Sequence, residues 1–251
     1  MKIIKTEELN EFVNNNVVSF HNKRIRCLEE LVLSKLIKKN PYLFKAKNIE
    51  ISGELIKSLM DAFLSSSEEK MFGDFLEDLS VFISSRTKNG HKSSTQGIDL
   101  EFIEESTHYL VSIKSGSNWG NSSQHKKLVQ DFQNAVKVIK QSGQKTIVQP
   151  VLGICYGKTK TSFMDKGYWK LVGQNFWYFI SGSMTLYKDI IEPVGYQAKQ
   201  HNDQFIKQKS AIVNRLTQEF SKRFCLQSGA INWEKIVEFN SGNFDLDKFD
   251  I

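Results

Sequence analysis

Between Gly97 and Lys114 the chain reads GIDLEFIEESTHYLVSIK, and on both sides of a polar centre the apolar positions fall at every second residue. Ile98, Leu100 and Phe102 alternate with Asp99 and Glu101, while Tyr109, Val111 and Ile113 alternate with Leu110, Ser112 and Lys114. A period of two predicts two strands, joined here by a short turn within Glu104–His108. Residues two apart share a face of a strand. Asp99 and Glu101 therefore point together, and so do Ser112 and Lys114. A register that sets Glu101 opposite Ser112 sets Asp99 opposite Lys114, and an acid pair then converges with a lysine.

Elsewhere the period lengthens to that of helices. Glu8–Phe20, Arg24–Lys39 and Glu54–Leu64 each repeat apolar residues at three and four, and Asn40–Pro41 closes the second of them. Ser66 and Glu69 stand at capping-box spacing, which opens a further helix there. Its apolar stripe is Met71, Phe72, Phe75, Leu76, Leu79, Phe82 and Ile83, and Glu77 falls opposite with Gly73, Ser80 and Ser84. Gln124–Gln141 is amphipathic, with Leu128, Phe132, Val136 and Ile139 inward and Lys126, Lys127, Lys137 and Lys140 outward. Thr146–Tyr156 reads as a strand deep in the sheet, with Pro150 marking a bulge or an edge. The aromatic-rich Trp169–Ile180 reads as core. Leu186–Ile191, Tyr196–Phe224 and Ile231–Phe239 read as helices, the last ahead of an acidic tail. The expected architecture is α/β: a mixed central sheet flanked by helices. It forms a single domain with a helical extension over 1–65, a core over 66–180 and a helical part over 181–251.

A chain of 251 residues can bury a large core, and 40% hydrophobic with 12% aromatic residues is a globular composition. A formal charge of +6 favours an anionic partner. Cys27, Cys155 and Cys225 are too widely spaced for a zinc site and read as thiols in a reducing compartment. The sequence shows neither a signal peptide nor an apolar run long enough to cross a membrane. These readings point to the cytoplasm, with no membrane partner and no small-molecule cofactor.

Two carboxylates beside a lysine are what metal-assisted phosphodiester hydrolysis requires, since hard oxygens suit Mg²⁺ and a cation suits the attacked phosphate. The same residues on the outer face of an exposed hairpin would also be ordinary solvated charges. The next stretch, SGSNWGNSSQ over Ser115–Gln124, favours the first reading: a small polar loop followed by a lysine-bearing helix permits close approach to a phosphate backbone. Ser115, Asn118, Trp119, Asn121, Gln124, Lys126 and Lys127 are the candidate DNA contacts. Arg86, Lys88, His91 and Lys92 make Arg86–Gln96 a second basic loop beside the hairpin, with His91 a weaker candidate for general base.

The runs FGDFLEDLSVFISSR, KSSTQGIDLEF and YLVSIKSGSNWGNSSQ resemble type II restriction endonucleases of the PD-(D/E)xK superfamily, and GQNFWYFISG, IIEPVG and INWEKIVEFNSG are similar to blocks of the same group. The resemblance covers most of residues 70–242 in pieces. It implies an endonuclease that uses Mg²⁺, with Mn²⁺ as a substitute, to cut double-stranded DNA at a short specific site and leave 5′-phosphate ends. A symmetric homodimer would suit a palindromic target. Carried over by position, Asp99 is the first metal-binding acid and Lys114 the lysine. The superfamily pattern places an acid two residues before that lysine, and here the residue is Ser112, which brings no charge. Glu101, sharing a face with Asp99, and Glu77, on the preceding helix, are the two candidates to replace it. A structure-specific repair or junction-resolving nuclease of the same fold, or a DNA-binding protein with a degenerate site, are the alternatives.

Overall fold

The computed structural model describes residues 3–141 and 146–243. The acidic tail expected after the final helix lies outside them. The chain falls into two compact units, each built from two separate stretches. One takes the residues up to Phe20 together with Lys70–Tyr196, and the other takes His21–Glu69 together with the chain from Gln197. This division cuts across the linear one read from sequence, because the first helix contributes to both units. Among the described residues no helix is long and apolar enough to cross a membrane.

The first unit is built on a six-stranded mixed sheet in the order β1-β2-β3-β4-β6-β5. Its strands are β1 (His91–Lys92), β2 (Leu100–Glu104), β3 (Thr107–Gly116), β4 (Ile147–Tyr156), β5 (Ser162–Met164) and β6 (Tyr168–Val172). β2 runs antiparallel to both its neighbours, β1 and β3; β3, β4 and β6 run parallel; β5 returns antiparallel to β6. Alternation along the strands divides two cores. Leu100, Phe102, Val111, Ile113, Val151 and Cys155 pack with Leu9, Val13 and Val17 of helix α1 (Thr6–Glu29) and with Phe75, Leu76, Leu79 and Ile83 of helix α4 (Ser52–Thr87). Phe176, Trp177 and Ile180 of α6 (Gln174–Ser181) complete that layer. On the opposite face Leu110, Leu152 and Ile154 pack with Leu128, Phe132, Ala135 and Ile139 of α5 (Ser122–Gln141). Gly153 is small for a steric reason: a Cβ there would overlap the ring of the fully buried Phe176. β4 pairs with β6 only from Val151 onward, so Pro150 sits where the strand is an edge on that side.

The hairpin register departs from the expected one. Leu100 meets Val111, Glu101 meets Leu110 and Glu104 meets Thr107, an offset of two residues. The strands run closer to the turn than their polarity implied, leaving only Glu105 and Ser106 to reverse the chain, with Glu105 at φ 54°. Because the offset is even, every side chain keeps its expected face.

The second unit is helical. It contains the end of α1, α2 (Leu33–Leu36), α3 (Pro41–Ala46), the first part of α4, α9 (Ala198–Phe224) and α10 (Trp233–Ser241) around one apolar core. Three boundaries differ from expectation, the first being that α1 runs unbroken from Thr6 to Glu29 through the expected break after Phe20. Ser66 caps nothing: its hydroxyl donates to the Ala62 carbonyl at 3.0 Å, Ser67 does the same to Phe63, and α4 passes through as one helix of 36 residues. The expected helix over Arg24–Lys39 breaks because Leu31 and Leu33 are both buried with Val32 exposed between them. That local period of two requires the extended backbone found at Val32. Asn40 starts α3 by accepting the Leu43 N–H, with Pro41 in the first turn. α7 (Leu186–Asp189) and α8 (Ile191–Val194) close the first unit.

Within the helical unit, His21 is stacked on His201 at 4.5 Å between centroids and meets Arg24 Nη1 through Nδ1 at 3.1 Å. Burial, then His201 and then Arg24 hold its pKa down to about 4. A histidine depressed in the folded state stabilises it fully above the unfolded value near 6.5, and that contribution is lost as pH falls toward about 4. Thermal melts should therefore show a loss of at most about 3 kcal/mol across that window. The His21→Gln variant should flatten that part of the profile; an unchanged profile would remove His21 as its cause.

Candidate active site

The β2–β3 ladder ends at Leu100, and the residue before it completes the pairing with its side chain. Asp99 donates its own N–H to the Val111 carbonyl at 2.9 Å. Its Oδ2 then accepts the Ile113 N–H at 2.6 Å, the next donor on that edge of β3. The Ser112 hydroxyl donates to the same oxygen at 3.3 Å, and Lys114 Nζ lies 3.8 Å from it. All three contacts fall on Oδ2. Asp99 and Lys114 converge, as the alternation predicted. Ser112, where the superfamily pattern has an acid, is buried and serves as a donor to Asp99.

The approach to Asp99 is fixed by glycine. Gly97 has φ 80°, a conformation L side chains rarely adopt, and a Cβ there would come within 2.5 Å of the Asp131 carboxylate on α5. The glycine of GIDLEF thus lets the chain turn between α5 and the sheet edge before delivering Asp99.

The two candidate acids part company. Glu77 lies on α4 with Gly73 one turn earlier, where a Cβ would stand 3.7 Å from Ser115, and with Ser80 and Ser84, both fully buried. The small residues opposite the apolar stripe do bring that face against the structure. Burial first, and then the charge of Asp99, raise the Glu77 pKa, with Lys92 opposing them. Lys92 Nζ donates to Glu77 Oε1 at 3.2 Å, and that bond raises the lysine pKa. Glu101 is buried and committed elsewhere. Its Oε2 meets His108 Nε2 at 3.0 Å, while Oε1 accepts from Ser93 and, at 3.4 Å, from Thr95. Among the described residues no three His, Cys, Asp or Glu side chains converge closely enough to hold a metal between them.

The loop residues serve several purposes. Ser115 is half-buried against α4, and Asn118 is exposed. The half-buried Trp119 packs on His125 at 4.4 Å, and Lys114 Nζ lies 5.8 Å from its ring. Asn121 and Gln124 cap α5 reciprocally: Oδ1 of Asn121 accepts the Gln124 N–H at 3.1 Å, and Oε1 of Gln124 accepts the Asn121 N–H at 2.9 Å. Lys126 is exposed, whereas Lys127 pairs with Asp131 at 3.0 Å. Lys88, read as a loop cation, is buried and paired with Glu104. The buried Cys155 thiol is pushed up to about 12 by burial, as an inert thiol should be.

Sequence reading missed the capping box, which its N-x-x-Q spacing could have shown, and the part played by Lys92. Two residues of strand carry no detectable period, so β1 gave no signal.

A mixed sheet with helices on both faces, an acid at the end of one strand and a lysine on its neighbour define a restriction-endonuclease-like nuclease. The family model for type II restriction endonuclease EcoO109I matches residues 7–202. The chain belongs to that family and is a type II site-specific deoxyribonuclease. No curated protein matches it.

Replacing Asn121 with alanine separates capping from DNA contact. Loss of the cap should cost about 1 kcal/mol in thermal or urea unfolding. DNA affinity at fixed salt should stay close to that of the parent, because the Asn121 side-chain oxygen is spent on the helix. Weaker DNA binding with unaltered stability would give Asn121 to the DNA.

Proposed function

We propose that this endonuclease hydrolyses the DNA backbone with Asp99 and Glu77 holding a divalent cation, Mg²⁺ or in its place Mn²⁺, and Lys114 completing the site. The observation that carries the reading is Asp99, fixed at the end of the sheet by the Ile113 N–H and Ser112 with Lys114 Nζ 3.8 Å away; on α4, burial first and then the Asp99 charge raise the Glu77 pKa. A cation beside two neighbouring carboxylates favours their charged forms, and Mg²⁺ commonly takes one or two carboxylates with phosphate oxygens and water filling the rest. The donor set therefore fits that ion without a third protein carboxylate. When bound, the cation supplies Lewis-acid polarisation of the phosphate and a more acidic water.

The protein's own residues do the remainder. Ile113 N–H and Ser112 hold Asp99 Oδ2, which fixes the carboxylate and leaves its other oxygen for the cation. Lys114 donates to the Ile113 carbonyl at 2.7 Å and lies beside Trp119, so its ammonium is restrained before DNA arrives. From there it orients the attacking water and stabilises charge developing on the phosphate. Attack by that water on phosphorus with the 3′-oxygen leaving gives a 5′-phosphate and a 3′-hydroxyl. Ser115, Asn118 and Trp119, with the first turn of α5 bearing Lys126 and Lys127, line the approach of the backbone. A homodimer matches a short palindromic site by sharing its two-fold axis. Unpaired cysteines suit a cytoplasmic enzyme.

Glu101 supports the hairpin instead of the cation in this reading, because His108, Ser93 and Thr95 already claim its oxygens. Asp99→Asn, Glu77→Gln and Lys114→Ala should each lower cleavage by about 10²–10³-fold, as loss of groups acting on transition-state charge does. Glu101→Gln should cut within a few-fold of the parent but melt earlier. Cleavage of a defined duplex at several Mg²⁺ and Mn²⁺ concentrations, with the ends mapped, checks all four. Severe loss in Glu101→Gln with an active Glu77→Gln would reverse the assignment.

A further inference from the structure

Lys92 belongs to β1, the edge strand, where it pairs in register with Leu100, one residue after Asp99. It is a poor candidate for a structural ion pair, since its side chain is 62% exposed and such pairs contribute little to stability. Its position is nonetheless specific. The ammonium donates to Glu77 at 3.2 Å, lies 3.8 Å from Asp78 Oδ1, and is near enough to Asp99 to feel its charge. Two carboxylates thus contact one long, exposed cation, beside the proposed ligand Glu77 and within the field of Asp99. Lys114, on β3, donates to a backbone carbonyl and lies 5.8 Å from the Trp119 ring, so it is held on its own side of Asp99.

A partly buried carboxylate within the field of a second one either takes up a proton or is balanced by a neighbouring cation. The geometry points to Lys92 as the resident counter-ion of the site: in the cation-free protein its ammonium holds Glu77 in position, and it swings away, still charged, when a divalent cation enters. This rests on the assignment of Asp99 and Glu77 as ligands. Lys92 then competes with the metal for Glu77. The apparent affinity for the cation is lowered by the fraction of molecules in which the lysine occupies the site. An exposed side chain on an edge strand can leave without disturbing the core, which makes the exchange reversible.

Binding of Mn²⁺ to the full-length, DNA-free protein, followed by electron paramagnetic resonance or calorimetry, tests this without reference to cleavage. Lys92→Met keeps the length of the side chain and removes its charge, and it should bind Mn²⁺ about three- to ten-fold more tightly than the parent. Lys92→Arg, which keeps the charge, should stay close to the parent. Asp99→Asn serves as the control. If it weakens Mn²⁺ binding while Lys92→Met binds as the parent does or more weakly, the counter-ion role is overturned and the ligand assignment stands. If Asp99→Asn leaves Mn²⁺ binding unchanged, the ligand assignment itself fails and the counter-ion role falls with it.

Discussion

The hydrogen bond from the Ile113 N–H to the Asp99 carboxylate organises this end of the molecule. A sheet edge presents donors that must be paired, and at Ile113 the partner strand has already ended. A side chain finishes the ladder in place of backbone. That substitution fixes the carboxylate to within hydrogen-bond tolerance on a strand buried on both sides, the kind of rigid support that a catalytic acid needs. Ser112 strengthens the arrangement from a position that is itself closed to solvent. The residue that looks like a defect in the metal-binding pattern is, in the structure, part of the mounting for the acid that remains.

The neighbouring elements follow from that constraint. Gly97 must be glycine to deliver Asp99, and Asp131 on α5 stands where any larger side chain would go. On the other face α4 packs in through the fully buried Ser80 and Ser84, and the same helix carries Glu77, which feels the Asp99 charge. The result is a concentration of negative charge that Lys92 and Lys114 balance from two sides. Titratable groups perturbed by burial and a specific charged neighbour are candidates for a functional site, and the proposed chemistry places the cation there.

Much of this was legible in the sequence. Period-two alternation located the hairpin and the shared face of Asp99 and Lys114, and it survived a register error because the error was even. The α5 helix followed from its stripe, and α9 and α10 fall within the stretches read as helical. Other features were not legible, for identifiable reasons. Ser66 and Glu69 have the spacing of a cap, but serine also bonds back to the preceding turn, and sequence does not separate the two. Leu31, Val32 and Leu33 continue a helical stripe on paper, while burial of both leucines forces the chain to extend. Glu77 and Glu101 were equivalent candidates because the hydrogen-bond claims of His108, Ser93 and Thr95 on Glu101 are tertiary facts. The grouping of the first helix with both units is likewise set by contacts far apart in sequence.

The central claim is that one cation is shared by Asp99 and Glu77. Its most direct test is a crystal structure of the enzyme with Mn²⁺ and a duplex made non-hydrolysable at the scissile phosphate, read by anomalous scattering. The account predicts a metal peak between those two carboxylates, in contact with a phosphate oxygen, with Lys92 turned away from Glu77. A peak at Glu101, or none beside Asp99, would contradict it.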